Sequence, residues 1–265
     1  MKPRSLGQFL LPVGVVILVI AGPASAADVR VMISAGFYNA YSELAPAFER
    51  TSGHRLITTR GPSMGDSLES IPAQLARGEA ADIVILDSGA ADQLAGRGLL
   101  RTDSKVEFAR SLIGMVVRAG AAKPDIGSVE AFRNTLLAAK SIAYSDSSSG
   151  TYLSTKLFAK LGIAAQIAGK SRGVRGPPAG EPVAKVVARG EAEIGFQQVS
   201  ELIRVEGVTF VGTIPAELQP GFSFAGALTS TVQQPEAAMA LIRFLASPEA
   251  APAIAKAGLL PPAAK

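Results

Sequence analysis

The sequence contains no cysteine, no tryptophan and a single histidine among its 265 residues. The absence of cysteine excludes a disulfide framework, an iron–sulfur cluster, a haem attached through thiols and a thiol nucleophile. With one histidine, the chain also lacks the usual ligands of zinc and other transition metals. Hydrophobic residues make up 48% of the sequence and charged residues 18%, which is too apolar for a disordered chain. A chain of this length forms one large domain or two of roughly 100–150 residues each.

The N-terminus has the features of an export signal. Lys2 and Arg4 form a positive start, residues 9–22 are uncharged and mostly apolar, and Ala24-Ser25-Ala26 matches a small-x-small cleavage site. The apolar stretch is shorter than the roughly 20 residues that a membrane-spanning helix requires. We therefore expect residues 1–26 to be a signal peptide, cleaved after the last of these alanines, and the mature protein to be soluble in the periplasm.

The remaining charge is nearly balanced. Loss of Lys2 and Arg4 lowers the formal net charge from +4 to +2. The mature chain has no run of Lys and Arg and no basic helical stripe with interleaved aromatic residues. We therefore expect no nucleic-acid partner. No other window is long and apolar enough to cross a bilayer, so we also expect no membrane span.

Short apolar runs alternate with amphipathic stretches that end in glycine, a pattern typical of α/β proteins. It predicts strands at residues 29–33, 56–59, 83–86, 112–117, 141–144, 194–196, 208–211 and 222–228. It predicts helices that end near residues 53, 78, 139 and 161, and further helices at 183–188, 235–245 and 248–256.

Two half-size α/β units predict a cleft between them, because ligands of open α/β sheets bind at the carboxyl ends of the strands. The loops that follow the predicted strands there are residues 34–37, 60–65, 87–88 and 145–151. Two of them, at Ser34-Ala35-Gly36 and Ser147-Ser148-Ser149-Gly150, place hydroxyls and free backbone N–H groups at helix starts. Such groups bind anions without a countercharge, although serines at helix starts are often simple N-caps.

Catalytic motifs are incomplete. Gly61-Pro62-Ser63-Met64-Gly65 matches the nucleophile elbow of a hydrolase, but that chemistry needs a histidine later in the chain. The only histidine, His54, precedes Ser63. Gly169-Lys170-Ser171 lacks the leading glycine of a phosphate-binding loop, and the acidic residues have no calcium-loop spacing. We therefore expect no metal and no cofactor.

Three stretches resemble the periplasmic solute-binding proteins of ATP-driven importers, in the branch of the molybdate-binding proteins. They are VMISAGFYNA at residues 31–40, LARGEAADIVI at 75–85 and ARGEAEIGF at 188–196. The resemblance covers almost all of the mature chain. It implies an α/β, two-lobed type II periplasmic binding protein fold, in which each lobe is a mixed sheet flanked by helices. Lobe one would comprise residues 27–110 and 222–265, and lobe two residues 111–221.

The resemblance also implies a ligand site. In molybdate binders, neutral hydroxyl and backbone donors from both lobes hold the anion, with a tyrosine hydroxyl on the second lobe. The first serine of that pattern falls at Gly36 here, with Ser34 two residues earlier, and the tyrosine position falls at Gln198. The expected ligand-binding residues are Ser34, Ala35, Gly36, Phe37, Arg60, Ser63, Met64, Ser148, Ser149, Gly150, Val183, Gln197 and Gln198.

Arg60, Gln197 and Gln198 depart from a site for a bare tetrahedral oxyanion. An arginine fork matches a carboxylate bidentately, and glutamine amides both donate and accept. Two ligand classes therefore stay open, a molybdate-type oxyanion and a small organic carboxylate. Arg60 is equally compatible with a solvated loop position.

We expect from these features a monomeric periplasmic receptor without enzymatic activity. It would close on a small anion by a hinge movement and deliver it to an inner-membrane ABC permease. Two alternatives remain, a secreted serine hydrolase that uses Ser63 and a ligand-sensing regulatory domain.

Overall fold

The computed structural model describes residues 26–65 and 67–262. Their strands form two five-stranded mixed sheets, with the orders β2-β1-β3-β10-β4 and β7-β6-β8-β5-β9. The strands are β1 (Asp28–Ile33), β2 (Arg55–Arg60), β3 (Ile83–Asp87), β4 (Val106–Arg110), β5 (Ile113–Arg118), β6 (Ile142–Ser145), β7 (Ser171–Val174), β8 (Ile194–Gln198), β9 (Val208–Thr213) and β10 (Ser223–Leu228).

Helices cover both sheets. They are α1 (Ala35–Ser52), α2 (Ile71–Ala76), α3 (Ser88–Gly96), α4 (Val129–Ala138), α5 (Ser148–Tyr152), α6 (Phe158–Lys160), α7 (Ala164–Ile167), α8 (Val183–Ala188), α9 (Val199–Leu202), α10 (Pro235–Leu245) and α11 (Ala251–Lys256). A π-helical turn, Leu153–Leu157, joins α5 to α6.

The first sheet forms lobe one around strand β3. All five residues of β3 are buried, because helices pack on both faces of the sheet. Strands β1 and β2 run parallel, while β10 returns from the second half of the chain and pairs antiparallel with β3 and β4. The second sheet forms lobe two in the same way, with its own core on each face.

Two chain segments connect the lobes. One runs from β4 to β5 through Ser111, and the other runs from β9 to β10. They lie side by side, since the backbone N–H of Ser111 donates to the carbonyl of Phe222 at 2.8 Å. This double connection leaves the carboxyl ends of several strands in both sheets facing one cleft.

The structure confirms the predicted fold class and most predicted elements. Gly53 ends α1 in the left-handed conformation, with φ of 74°, as a C-cap glycine does. The sequence analysis missed α3, β4 and β7. The helix predicted to end near residue 78 is α2, which begins at Ile71, after the N-cap Ser70. The exact lobe limits stay a prediction.

Two expectations concern export and membranes. Most of the proposed signal peptide, residues 1–25, lies outside the described residues. Within the described part of the chain, no single helix is long and apolar enough to span a membrane. The pair Pro235–Leu245 and Pro248–Lys256 meets the length and composition requirements only together, across a bend of 58°.

Candidate functional site

A cleft between the lobes collects the loops that follow β1, β2, β6, β7 and β8. All the space between its walls, with the open mouth included, amounts to about 360 Å³. Its walls are formed by Ser34, Ala35, Gly36, Pro62, Ser63, Ser145, Asp146, Ser147, Gly176, Pro177, Gln197, Gln198, Glu201 and Phe224.

The lobe-one wall supplies hydroxyl donors. Ser34 is the N-cap residue of α1, yet its side chain makes no capping hydrogen bond. Its buried Oγ has no partner among the described residues. Ser63 Oγ accepts a hydrogen bond from the backbone N–H of Asp87 at 3.0 Å, which leaves the hydroxyl hydrogen of Ser63 available to a ligand.

Arg60, the last residue of β2, lies beside this wall. Its guanidinium carbon stacks over the Tyr38 ring, 4.0 Å from the ring centroid. The Nε of Arg60 is buried and has no hydrogen-bond partner in the described part of the chain. Stacking therefore holds the guanidinium while its donors remain unused by these residues.

The lobe-two wall is built from amide and carboxyl side chains at the end of β8. Gln197 Oε1 accepts from the backbone N–H of Val183 at 3.0 Å, and its Nε2 donates to Glu201 Oε2 at 2.6 Å. Gln198 Oε1 accepts from the Ser111 hydroxyl at 2.8 Å. Both glutamines are buried, so these bonds fix their amide groups.

Glu201 is the most perturbed acid of the cleft. Burial raises its pKa to about 7, although the hydrogen bond from Gln197 and the charge of Arg60 act in the opposite direction. The charge of Asp146 raises the pKa further. The residue is half-buried and its exposed part lines the cleft. A pKa this close to neutrality gives the carboxyl group access to both its protonated and its ionised form at neutral pH.

Direct contacts hold the lobes together around the cleft. Asn39 Nδ2 in lobe one donates to the carbonyl of Ser200 in lobe two at 2.8 Å. The Ser200 hydroxyl donates in return to the carbonyl of Gly36 at 2.7 Å. Glu69 of lobe one and Arg175 of lobe two form an exposed ion pair with 2.7 Å between the charged atoms. The structure is therefore a closed form.

The structure places six of the expected site residues in the walls of the cleft: Ser34, Ala35, Gly36, Ser63, Gln197 and Gln198. Arg60 lies beside the cleft, as described above. Whether any of them binds a ligand stays a prediction.

The other expected residues lie elsewhere. Phe37 is fully buried in the lobe-one core, with its ring 5.3 Å from that of Phe108. Met64 packs on the opposite core face of lobe one. The backbone N–H of Val183 is used by Gln197. In each of the three residues, packing or an internal hydrogen bond engages the group, and a role in ligand binding stays a prediction.

The serine-rich turn lies mostly one layer behind the cleft. A Cβ at Gly150 would lie only 1.6 Å from the carbonyl oxygen of Ser145, so this glycine permits close backbone packing and leaves no room for a ligand. Ser149 Oγ shares a hydrogen bond with Ser145 Oγ at 3.0 Å. Ser148 Oγ is buried without a partner among the described residues, but it is not part of the wall.

Sequence reasoning missed Glu201 and the pair Gly176-Pro177. Glu201 lies three residues beyond the end of β8, within α9. Its local sequence does not distinguish it from an ordinary exposed glutamate in a helix. Gly176 and Pro177 follow β7, a strand that the Gly- and Pro-rich composition concealed. The rule that ligands bind after strand ends would have found both.

Nothing in the described residues supports a serine hydrolase or a metal centre. His54 directly precedes β2, and its Nδ1 accepts a hydrogen bond from the backbone N–H of Ala27, whereas Ser63 lies beyond the other end of β2. Within residues 26–65 and 67–262, no three His, Asp or Glu residues are grouped so that they could hold a metal ion.

Comparison with known proteins gives consistent matches. A family model described as a bacterial extracellular solute-binding protein matches residues 29–260. A Pseudomonas protein named aconitate isomerase is 47% identical over 231 residues, which are 87% of each chain. The Azotobacter vinelandii molybdate-binding protein ModA is 29% identical and covers 93% of this chain and 94% of its own.

Solved structures support the fold. The periplasmic molybdate-binding protein of Azotobacter vinelandii superposes with a TM-score of 0.69 at 19% identity, over 88% of this chain and 99% of that one. A substrate-binding domain of a molybdenum ABC transporter from Clostridium difficile gives a TM-score of 0.67 at 16% identity, over 89% of this chain and 99% of that domain.

The relative from Pseudomonas corrects one expectation. The sequence analysis expected a protein without enzymatic activity, yet a chain 47% identical to this one carries the name of an enzyme. That expectation was wrong because it rested on the absence of complete nucleophile, metal and cofactor motifs from the sequence. An acid whose pKa is raised only by folding leaves no such motif.

Proposed function

This chain belongs to the bacterial extracellular solute-binding protein family, and from that premise we propose that it captures aconitate, an unsaturated tricarboxylate, between its lobes and isomerises it. The observation that carries the proposal is the closed cleft, whose walls include both the partnerless hydroxyl of Ser34 and Glu201, a carboxyl group of raised pKa, with the partnerless Nε of Arg60 beside them. A site that only bound a tricarboxylate would gain nothing from a carboxyl group, since like charges repel.

The donors suit carboxylates. Arg60 offers a fork that matches a carboxylate bidentately, and the hydroxyls of Ser34 and Ser63 add neutral donors. Gln197 and Gln198 close the opposite side. We infer that the ligand bridges these walls, so that its contacts are complete only in the closed form, and its differential affinity favours closure.

The chemistry of aconitate defines what the site must do. The double bond of a propene tricarboxylate has cis and trans isomers, and direct rotation about it is prohibitively slow. Removal of a proton from the methylene carbon and its return to the former vinyl carbon moves the double bond by one position. The new double bond takes the geometry that the site imposed on the former single bond. The reaction therefore needs donors that fix three carboxylates and one base.

The experiment is isomerisation by the purified exported protein. We expect cis-aconitate and trans-aconitate to approach the same equilibrium mixture from either side, followed by the proton NMR signals of the vinyl hydrogens. Heat-denatured protein is the control. Failure of both isomers to interconvert would refute the isomerase proposal.

A second candidate is capture of a molybdate-type oxyanion for an inner-membrane ABC permease. It is favoured by the partnerless Ser34 hydroxyl and the 29% identical molybdate binder. A thermal-shift panel distinguishes the two ligand classes, because saturating ligand at 1,000 times its Kd adds about 4 kcal/mol of stability. We expect aconitate to shift the melting temperature of the protein, and molybdate, tungstate and sulfate to leave it unchanged.

We also propose that the mature protein works in the periplasm and that it is a monomer.

A further inference from the structure

We propose that Glu201 is the catalytic base of this isomerisation and that Gln197 is the residue that positions it. The inference rests on the proposed function and assigns its central step to named atoms. The Glu201 carboxylate takes a proton from the methylene carbon of aconitate, and the electron pair of that C–H bond enters the allylic system. Glu201 then returns the proton to the former vinyl carbon, so one C–H bond breaks, one forms, and no co-reactant is needed.

The composition of the cleft singles out Glu201. Among the described residues, only Asp146 and Glu201 bring carboxyl groups to its walls. Asp146 is exposed, and its Oδ1 accepts a hydrogen bond from the backbone N–H of Gly176 at 3.1 Å. The single histidine is at position 54, outside the cleft, and the sequence has no cysteine that would add to the double bond.

Gln197 controls the orientation of the base. Because Gln197 Oε1 is occupied by the Val183 N–H, the amide has one orientation, and its Nε2 must be the atom that donates to Glu201 Oε2. The other carboxylate oxygen, Oε1, has no hydrogen bond to a described residue. We assign the proton transfer to this free oxygen.

The surroundings also suit a base that both accepts and returns a proton. Desolvation raises the pKa of Glu201 to about 7, with Arg60 and the Gln197 amide lowering it and Asp146 raising it. Helix α9, which carries Glu201, packs against α1, β5, β8 and α8. From these elements, the amide of Gln197 in β8 contacts the Glu201 carboxylate. A base with a pKa near the working pH exists in both forms during turnover.

The primary test compares Glu201→Gln with Glu217→Gln, a matched control at an exposed glutamate of lobe two. Removal of a general base lowers turnover by about 100- to 10,000-fold. We therefore expect Glu201→Gln to lose at least about 100-fold in kcat while binding aconitate as well as wild type in calorimetry. Glu217→Gln should retain wild-type kcat. A kcat for Glu201→Gln within a few-fold of wild type would overturn the assignment.

A pH profile tests the positioning residue. In wild type, kcat/KM should fall as the pH drops below about 7, since the base must be ionised in the free enzyme. Gln197→Met removes the donor that favours the ionised form, so the acidic limb should move to higher pH. A limb that stays in place, in a variant whose melting temperature matches wild type, would refute the role of Gln197.

The outcomes separate this inference from the function on which it rests. If wild-type protein does not interconvert the isomers, the isomerase proposal fails and the assignment of the base fails with it. If wild type interconverts them and Glu201→Gln does so equally fast, the isomerase stands and only the base is misassigned.

Discussion

The two lobes have the same architecture but contribute opposite chemistry to the cleft. Lobe one presents hydroxyl donors at Ser34 and Ser63, with the cation Arg60 beside them, whereas lobe two presents two glutamine amides and the acid Glu201. The lobe-one set follows β1 and β2, whereas the lobe-two set comes at the end of β8, which takes in its sheet the position that β3 takes in the other. The two walls therefore differ in the strands that supply them as well as in their side chains. We infer that lobe one anchors the anion and lobe two acts on it. Such a division is effective only when the lobes close.

The largest effect should come from preventing the lobes from fitting together. A Cβ at Gly36 would lie 2.2 Å from Phe224 Cζ and 2.8 Å from Gln198 Oε1. Gly36→Ala therefore pushes buried groups apart, and overpacking of this kind typically costs about 1–3 kcal/mol. We expect aconitate affinity, measured by calorimetry, to fall by about 10- to 100-fold.

Gly96→Ala is the matched control, because a Cβ at Gly96 in α3 would meet nothing within 4 Å. Its affinity for aconitate should equal that of wild type. Equal affinities for Gly36→Ala and Gly96→Ala would show that the close approach at Gly36 plays no part in binding.

The next largest effect tests whether Arg60 of lobe one anchors the ligand. Arg60→Met removes the guanidinium and, with it, a charge-assisted interaction of about 1.5–3 kcal/mol. We expect a tenfold or greater rise in KM for aconitate, and a smaller change in kcat than Glu201→Gln produces. Arg243→Met, at an exposed position on α10, serves as the control. A normal KM for Arg60→Met would mean that Arg60 is only a stacked surface residue.

The smallest effect concerns the ion pair across the cleft. Glu69 and Arg175 are largely exposed, and such pairs contribute little to stability. Glu69→Gln should weaken aconitate binding by no more than a few-fold at low salt, and the difference should vanish in about 1 M salt, where charges are screened within about 3 Å.

Glu79→Gln supplies the comparison, since Glu79 pairs with Arg77 inside lobe one at 2.6 Å. That variant should not change affinity at any salt concentration. If both variants weaken binding equally, the pair between the lobes has no special part in closure.

The fold was largely predictable from local pattern. Strand β3 is a continuous apolar run, and Gly53 supplies the positive φ that ends α1. β7 escaped prediction because its pairing with β6, and not its composition, makes Ser171–Val174 a strand.

The site was predictable only in part. Strand-end reasoning found Ser34, which directly follows β1. Gln198 was named only because the family resemblance places a tyrosine of the molybdate binders at that position. Glu201 lies just beyond the end of β8, but nothing in its local sequence shows that its pKa is raised, because that shift comes from burial and from the charge of Asp146, which is far away in the sequence. Phe37 follows β1 closely in sequence, yet its ring is buried in the lobe-one core, which the sequence alone did not indicate. Local sequence gives backbone position, but the direction and environment of a side chain come from tertiary packing.

We infer that, in the proposed isomerase, the hydrogen bonds between α1 and α9 link release of the product to recovery of the base. Ser200, which bonds to both Asn39 and Gly36, is the neighbour of Glu201 in the chain. Separation of the lobes breaks these bonds and brings water to the carboxyl group, and hydration returns the pKa of Glu201 toward that of an ordinary glutamate. Any proton still held when the product leaves is then lost to solvent. In the proposed mechanism, each opening of the lobes therefore returns Glu201 to the ionised form that the next molecule of aconitate requires.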